Sequence, residues 1–278
     1  MIGNLNSIFK QKIKLGGVTY DADAQAYFNA NTTITSSADK NAINTFYLGL
    51  KSDSIYTKIK AMYLPIWGTA ASSKWNLINN RSFDLTFTTG WTFSSGGALP
   101  NGTSAYADTF LIPSTALTSN SNHISYYSRT NIAQASVEIG CQTDPPIGFT
   151  DNRTLYQYLR YTADGYALSV TNIDANRLNL TNTNSLGLFI GSRTSNVSLK
   201  AYKNNATIGT QTAISHGTQS SISVILGAFK RLSTTQTFSL YSSKQCAFAS
   251  IGDGLTDAEA SNFYTRVNTL MTYFGINV

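Results

Sequence analysis

The segment CAFASIGDGLTDAEASNFYTRVNTLM, Cys246–Met271, changes character halfway along. Its opening residues, CAFASIG, are apolar or small and predict a buried strand. Thr256 followed by Glu259 forms a capping box, in which a hydroxyl and a carboxylate each satisfy a free backbone N–H. Phe263, Val267, Leu270 and Phe274 then fall on one helical face, and Gly275 is placed to end the helix. One apolar face needs a partner, and the candidates are the strands before it or helices at the other end of the chain.

Upstream of this segment, from Trp75 onward, strand-like runs are cut by Gly, Asn, Asp and Ser. HISYYSRT, ASVEIGCQ, TLYQYLRYT, GYALSVT, LGLFIGSRT, NVSLKAYK, SISVILGAFK and FSLYSS each alternate or run apolar, and KNNATIG reads as a hairpin turn. Many short strands without intervening helices predict an antiparallel sandwich or barrel. In NVSLKAYK the alternation points Val197, Leu199 and Ala201 inward and Ser198, Lys200 and Tyr202 to a wet face.

The start of the chain reads differently. TYDADAQAYFNANT and SADKNAINTFYLGLKSDSIYTKIKAMYL carry apolar residues at helical spacing: Ala42, Phe46 and Leu50, then Ile55, Ile59 and Met62. Ser37 is the expected N-cap and Pro65 the stop, which predicts two or three helices between about Asp21 and Leu64.

Composition narrows the function classes. With 278 residues and 42% hydrophobic content the chain can bury a full core. It has no apolar run long enough to span a bilayer and no signal-peptide pattern at its start, which predicts a soluble protein without membrane insertion. The net charge of +6 owes as much to a shortage of acid, with Glu138 and Glu259 the only glutamates, as to its bases. Lys10, Lys12 and Lys14 lie in the tail and no basic stripe interleaves with aromatics, so nucleic acid is not an expected partner. Cys141 and Cys246 stand in apolar strands and read as reduced core residues. With His123 and His216 far apart and no CxxC, no metal site and no cofactor are expected.

Taken together, TYDADAQAYFNA, IYTKIKAMYLPIWGTAASSKWNL, GWTFSSGGALPNGTSAYADTFLIPS, SYYSRTN, LGLFIGSRTS and the closing segment, in that order, resemble the concanavalin A-like, laminin-G type jelly-roll proteins among the structural and fibre proteins of tailed bacteriophages. The resemblance implies a mainly β protein: an N-terminal tail and helical attachment region over 1–74, a jelly-roll β-sandwich over 75–255, and a C-terminal helix over 256–278. It further implies a non-enzymatic head or tail fibre of the virion, assembled in the bacterial host cytoplasm. Such a fibre would be a homotrimer, would dock on capsid or tail proteins through its N-terminal part, and would hold host surface polysaccharide with its sandwich. A passive capsid decoration protein and a glycan hydrolase are the alternatives. Calcium, which laminin-G domains can carry, would have to gather Asp151, Asp164 and Asp174 from separate loops.

The residues bear on these alternatives. Retaining glycoside hydrolysis needs two carboxyl groups about 5 Å apart. Glu138 has no carboxylate two or four residues away, and Glu259 is committed to the helix cap. For sugar binding, aromatic faces stack on pyranose rings while Arg and Asn supply hydrogen bonds. Tyr127 and Arg129 in SYYSRTN, and Tyr156, Tyr158 and Arg160 in LYQYLRY, would gather on one outer face if the two strands share a sheet. The same row serves equally as packing or as subunit contact. Trp91 completes the candidate set at a sandwich edge near a loop cluster, whereas Trp75 is expected in the core and Trp67 at the junction of helices and sandwich.

Overall fold

Asp21 and Ser36 start the helical part of the chain. In the structure, a computed structural model that describes residues 19–78, 82–145, 152–172, 176–212 and 218–278, Asp21 caps α1 (Ala22–Ala30) and Ser36 caps α2 (Ser37–Ser52). The cap therefore falls one residue before the expected Ser37, and Ser36 Oγ accepts from the Asp39 N–H at 3.2 Å. Lys51 ties the two helices together through Asp21 and Asp23 at 2.7 and 2.5 Å. Lys10, Lys12, Lys14, Asp151, Asp174 and His216 lie outside the described residues.

The helical pattern expected to run on through Ile59 and Met62 gives way to a strand, β1 (Ile59–Tyr63). Lys, Ala and Met favour helix locally, but tertiary pairing overrides so small a preference. Here the pairing partner is the last strand of the chain, and Met62 N–H also donates to Asn76 Oδ1 at 2.9 Å. Alternation sends Ala61 and Tyr63 into the sandwich core and Met62 to the opposite side, and a break in register between Ile59 and Ala61 puts Ile59 on that side as well.

The strands that follow are β2 (Thr86–Phe87), β3 (Trp91–Ser94), β4 (Gly97–Pro100), β5 (Ala107–Asp108) and β6 (Asn122–Ser128), with short helices α3 (Ala70–Ser73) and α4 (Pro113–Ala116) among them. Next come β7 (Ile139–Thr143), β8 (Arg153–Tyr158), β9 (Gly165–Asn172), β10 (Leu178–Thr181), β11 (Gly187–Ser195), β12 (Ser198–Lys203) and β13 (Ala206–Gln211). Finally β14 (Ile225–Leu226), β15 (Phe229–Leu232), β16 (Gln236–Ser239) and β17 (Cys246–Gly252) precede α5 (Asp257–Tyr273). One sheet runs β13-β12-β11-β6-β17-β4-β3, with β1 also on β17. The other runs β10-β9-β8-β7-β14-β5-β2, with β15 parallel to β7 and β16 on β15. Asn204, in the left-handed region at φ 52°, makes the tight turn between β12 and β13.

The two sheets pack face to face as an antiparallel β-sandwich. Tyr126, Phe189, Leu199, Ala249 and Ile251 of the first meet Ile139, Cys141, Leu155, Tyr166 and Leu168 of the second. Cys141 and Cys246 are free and buried, and burial pushes each thiol up to about 12. A third layer covers the other face of the first sheet. Phe46, Leu50, Phe263, Val267 and Leu270 of α2 and α5 pack on Tyr127, Ile190, Tyr202 and Phe248. The wet face expected of β12 is therefore dry at Tyr202, while Val197 falls in the turn before the strand and is exposed. Trp67 belongs to this layer: its Nε1–H donates to Tyr27 Oη at 2.9 Å and its ring meets Phe274 edge-on. Half-buried Trp75 packs against it too, with Lys74 Nζ 4.5 Å from its ring centre. None of the described helices is long and apolar enough to cross a membrane.

The capping box of α5 is formed, with Thr256 N–H donating to Glu259 and Glu259 N–H to Thr256 Oγ1. At the other end Gly275, at φ +68°, closes a Schellman motif: its N–H bonds Thr272 and that of Ile276 bonds Met271.

His123 lies fully buried beneath α5, edge-on to Phe263. The Asp253 carbonyl, 2.6 Å from Nδ1, fixes the proton there, and Nε2 accepts from Ser250 Oγ at 3.0 Å. The Nε2 contact needs the neutral ring, and burial holds its pKa down at about 4 despite the Asp253 carbonyl, which favours the charged form. The unfolded chain takes up this proton near pH 6.5, so stability present at neutral pH is lost as pH falls from about 6.5 to 4. The loss from this group is on the order of 3 kcal/mol. Urea melts at pH 7 and pH 4 should therefore separate more for the native chain than for His123→Gln, and equal separations would contradict this role for His123.

Candidate functional site

The three long helices all lie against the first sheet, which leaves the outer face of the second as the surface on which side chains meet solvent. There, strand alternation turns Leu155 into the core and Tyr156 and Tyr158 outward. Tyr156 stands opposite Ser169, Tyr158 opposite Ala167, and Ala167 opposite Asn179. The central strand thus presents small residues, Gly165 and Ala167, between tyrosines on β8 and Arg177 and Asn179 at β10. The result is a trough of about 260 Å³ lined by Tyr158, Tyr161, Ala167, Arg177 and Asn179 among others.

Each wall is held in place. Tyr156 and Tyr158 stack at 4.9 Å, Tyr161 follows at 5.1 Å, and Phe229 meets Tyr156 edge-on at 5.5 Å. Tyr156 is buried and acts as the footing of the row, while Tyr158 and Tyr161 remain partly exposed. Gly140 makes this seating possible, since a Cβ there would fall 2.4 Å from Tyr156 Cβ. Arg177 Nε donates to Asn179 Oδ1 at 2.9 Å, and its Nη1 reaches Tyr156 Oη at 3.5 Å. Among the described residues that line the trough there is no carboxylate.

Arg160 frames the trough without entering it. It donates from Nε to Asp164 at 2.7 Å and from Nη1 to Asn131 at 2.9 Å, which fixes the turn that carries Tyr161. That turn holds Ala163 and Asp164 at positive φ, 57° and 60°.

The condition for one shared row, that the two tyrosine strands lie in the same sheet, is not met: β6 is in the first sheet and β8 in the second. Tyr127 is wholly buried under the helical layer, where its hydroxyl accepts from the Val278 N–H at 2.9 Å. Arg129 sits near the start of β17, its Nη1 donating to the Gly96 carbonyl at 3.3 Å. Trp91 does lie on an edge strand, with its Nε1–H on the Tyr106 carbonyl at 3.1 Å and its ring against Phe87 at 5.2 Å. Of the six candidates, Tyr156, Tyr158 and Arg160 come together, while Tyr127, Arg129 and Trp91 lie on the other sheet. Tyr161, Arg177 and Asn179 went unread. Their signals were present: ADG after YLRY marks a turn that brings Tyr161 back, and RLNL alternates so that Arg177 and Asn179 share a face.

Glu138 and Glu259 are both occupied. Glu138 is fully buried against Lys244, and Glu259 pairs with Lys58 at 2.6 Å besides capping α5. Among the described residues no group of three or more His, Cys, Asp or Glu is placed to hold a metal ion.

Sandwich, helical layer and open trough together define the class of protein: an antiparallel β-sandwich covered by helices on one side and presenting an aromatic, base-lined surface on the other. No protein-family model matches the chain, and no curated protein matches it. Among solved structures it is similar to domain 4 of AbnA, a GH43 extracellular arabinanase from Geobacillus stearothermophilus solved with arabinotriose. The identity is 14% over 74% of this chain and 98% of that one, with a TM-score of 0.47. A Trypanosoma rangeli sialidase mutant displaying trans-sialidase activity aligns at 10% identity over 82% of this chain and 39% of its own, with a TM-score of 0.48. The CBM40 of Ruminococcus gnavus IT-sialidase, bound to α2,6-sialyllactose, aligns at 20% identity over 53% of this chain and 84% of its own, with a TM-score of 0.37. Likeness at TM-scores below 0.5 carries no functional argument, and the architecture rests on the sheets themselves.

Proposed function

We propose that this chain is a non-enzymatic glycan-binding sandwich that serves as a fibre or adhesin protein of a tailed-phage virion. The observation that carries the binding part is the trough, where two partly exposed tyrosine rings face an arginine and an asparagine across a floor of small side chains. Tyrosine faces suit the apolar faces of sugar rings, and guanidinium and amide groups suit their oxygens. The reading as a binder rather than a hydrolase is supported by the engagement of both glutamates in structural contacts.

The virion part is supported by the ordered sequence likeness to phage fibre proteins. In that setting the chain would assemble as a homotrimer and dock on capsid or tail proteins. A trough of this size holds a short stretch of glycan, so single-site affinity is weak and three linked copies raise it through effective concentration. Exposed tyrosines favour attachment over passive decoration of the capsid.

Substituting Tyr158→Ala is expected to weaken binding to bacterial surface polysaccharide about tenfold on a glycan array while leaving the thermal midpoint near the native value, since the ring is partly exposed. Undiminished binding by this variant would reject the trough as the site. Release of reducing ends from the polysaccharide during incubation would replace the binding reading with a hydrolytic one, and absence of the protein from purified particles would overturn the virion assignment.

A further inference from the structure

We infer that the glycan held in the trough is an extended chain, and that Tyr106 and Phe238 form a second stacking platform over which it continues; this rests on the glycan-binding reading above. The register of the second sheet sets the two platforms level. Gln157, Ile139, Leu226 and Ala107 pair across β8, β7, β14 and β5 as one row. That row faces the core, where Gln157 donates to Tyr166 Oη at 2.8 Å. The four strands alternate in direction, so Tyr158, one residue after Gln157, and Tyr106, one residue before Ala107, lie on the same side of the row and turn to the outer face. Three strand spacings, about 14 Å, separate them.

Tyr106 does not stand alone there. Its ring stacks on that of Phe238 at 4.3 Å, with 13° between the planes, and both rings remain partly exposed. Phe238 reaches it from β16, where it stands opposite Lys230 of β15, whose Nζ donates to Asp108 Oδ2 at 2.8 Å on the same outer side. Gln236, Thr237 and Ser239 around Phe238 are exposed, so the stack lies open at the surface. The interval between the platforms is crossed by the segment that starts at Leu240. Val137 N–H donates to the Leu240 carbonyl at 2.9 Å and Ser242 N–H to the Gly227 carbonyl at 2.8 Å, which lays Leu240 and Tyr241 beside the start of β7 and the end of β14. Leu240 packs with the Tyr156 cluster, as Tyr158 does. Tyr241 stands beside Tyr106, whose pKa is held above its ordinary value by burial, Asp108 and Tyr241. Partly exposed apolar surface therefore runs from Tyr161 to Phe238. Flat rings placed in this way suit the successive apolar faces of a sugar chain, whereas a single sugar fills only the trough.

The test is calorimetric titration of the full chain with a size ladder, disaccharide to octasaccharide, cut from the bacterial surface polysaccharide that it binds on the array. Affinity is expected to climb about tenfold along the ladder and then level off. Phe238→Ala and Tyr106→Leu should each lower affinity for the octasaccharide about tenfold and leave that for the disaccharide unchanged, while Tyr158→Ala lowers both. Tyr106→Leu keeps apolar bulk and removes only the flat face, so a loss shared by both variants at native thermal midpoints assigns the stack to the ligand and not to folding. Affinity that does not rise with length, or octasaccharide binding unaltered in both variants, would overturn the inference while leaving the trough as a site. Equal losses for disaccharide and octasaccharide would overturn it as well, since the variants would then be disturbing the trough. A changed oligomeric state in light scattering with octasaccharide binding intact would make the stack a contact between copies instead. No binding of the native chain to any glycan would remove both readings.

Discussion

Replacing Lys244 by methionine is expected to destabilise the fold by about 3–5 kcal/mol at neutral pH, as breaking a buried ion pair from one side does. Lys244 and Glu138 are both fully buried. The Lys244 ammonium donates to Glu138 Oε1 at 3.0 Å and to Ser136 Oγ at 2.8 Å. The carboxylate also accepts from Ser136 Oγ at 2.6 Å, Ser242 Oγ at 3.0 Å and the Leu159 N–H at 2.8 Å. Through these contacts the pair joins the segment before β7, the end of β8 and the segment before β17. Methionine keeps the aliphatic bulk and removes the charge, which leaves a desolvated carboxylate among neutral donors. Chemical denaturation at pH 7 should show the loss as a lowered midpoint. Adding Glu138→Gln removes the unpaired charge and keeps an acceptor for the Leu159 N–H, so the double variant should regain much of the loss. A double variant no more stable than Lys244→Met would show that packing, and not charge, is what the pair supplies.

This pair also shows what was legible in the sequence. Glu138 stood out as one of two glutamates, and its isolation from other carboxylates argued against hydrolysis. Its partner could not be read, because Lys244 lies 106 residues further on and the two meet only when the chain folds. The same division runs through the molecule. Local signals set the capping box of α5, the Gly275 stop, the Asn204 turn and the alternation of β8. What they could not set was which strands become neighbours. The tyrosines of β6 and β8 carry similar patterns, yet one row faces the helical layer and the other faces solvent, and that difference depends on sheet order. Ile59–Tyr63 failed for a related reason, since its helix-favouring residues form a strand only because β17 offers an edge. The trough needed β8, β9 and β10 in register before Gly165 and Ala167 could be seen as a floor.

Phe263→Ala should cost about 3–5 kcal/mol, the range for deleting a fully buried aromatic ring. The ring is where α5 meets the rest of the chain. It lies edge-on to Phe248 of β17 at 5.9 Å and to His123 of β6 at 6.1 Å, and Phe248 in turn meets Phe46 of α2 edge-on at 6.0 Å. Removing it opens a cavity shared by α2, α5 and the first sheet, with Val267 and Leu270 on the same helical face losing a neighbour. The effect should be local in a telling way. Amide hydrogen exchange should rise first along α5 and the last turns of α2, while β8, β9 and β10 on the far sheet stay protected. Glycan binding by the folded protein should therefore persist even as its denaturation midpoint falls, since the trough and the helical layer sit on opposite outer faces of the sandwich. A loss below about 1 kcal/mol, under the usual range for such a truncation, would mean that α5 is not held through this ring. Loss of binding in step with the loss of α5 protection would instead couple the helical layer to the trough through the core, and would move the functional boundary of the protein from one sheet to all three layers.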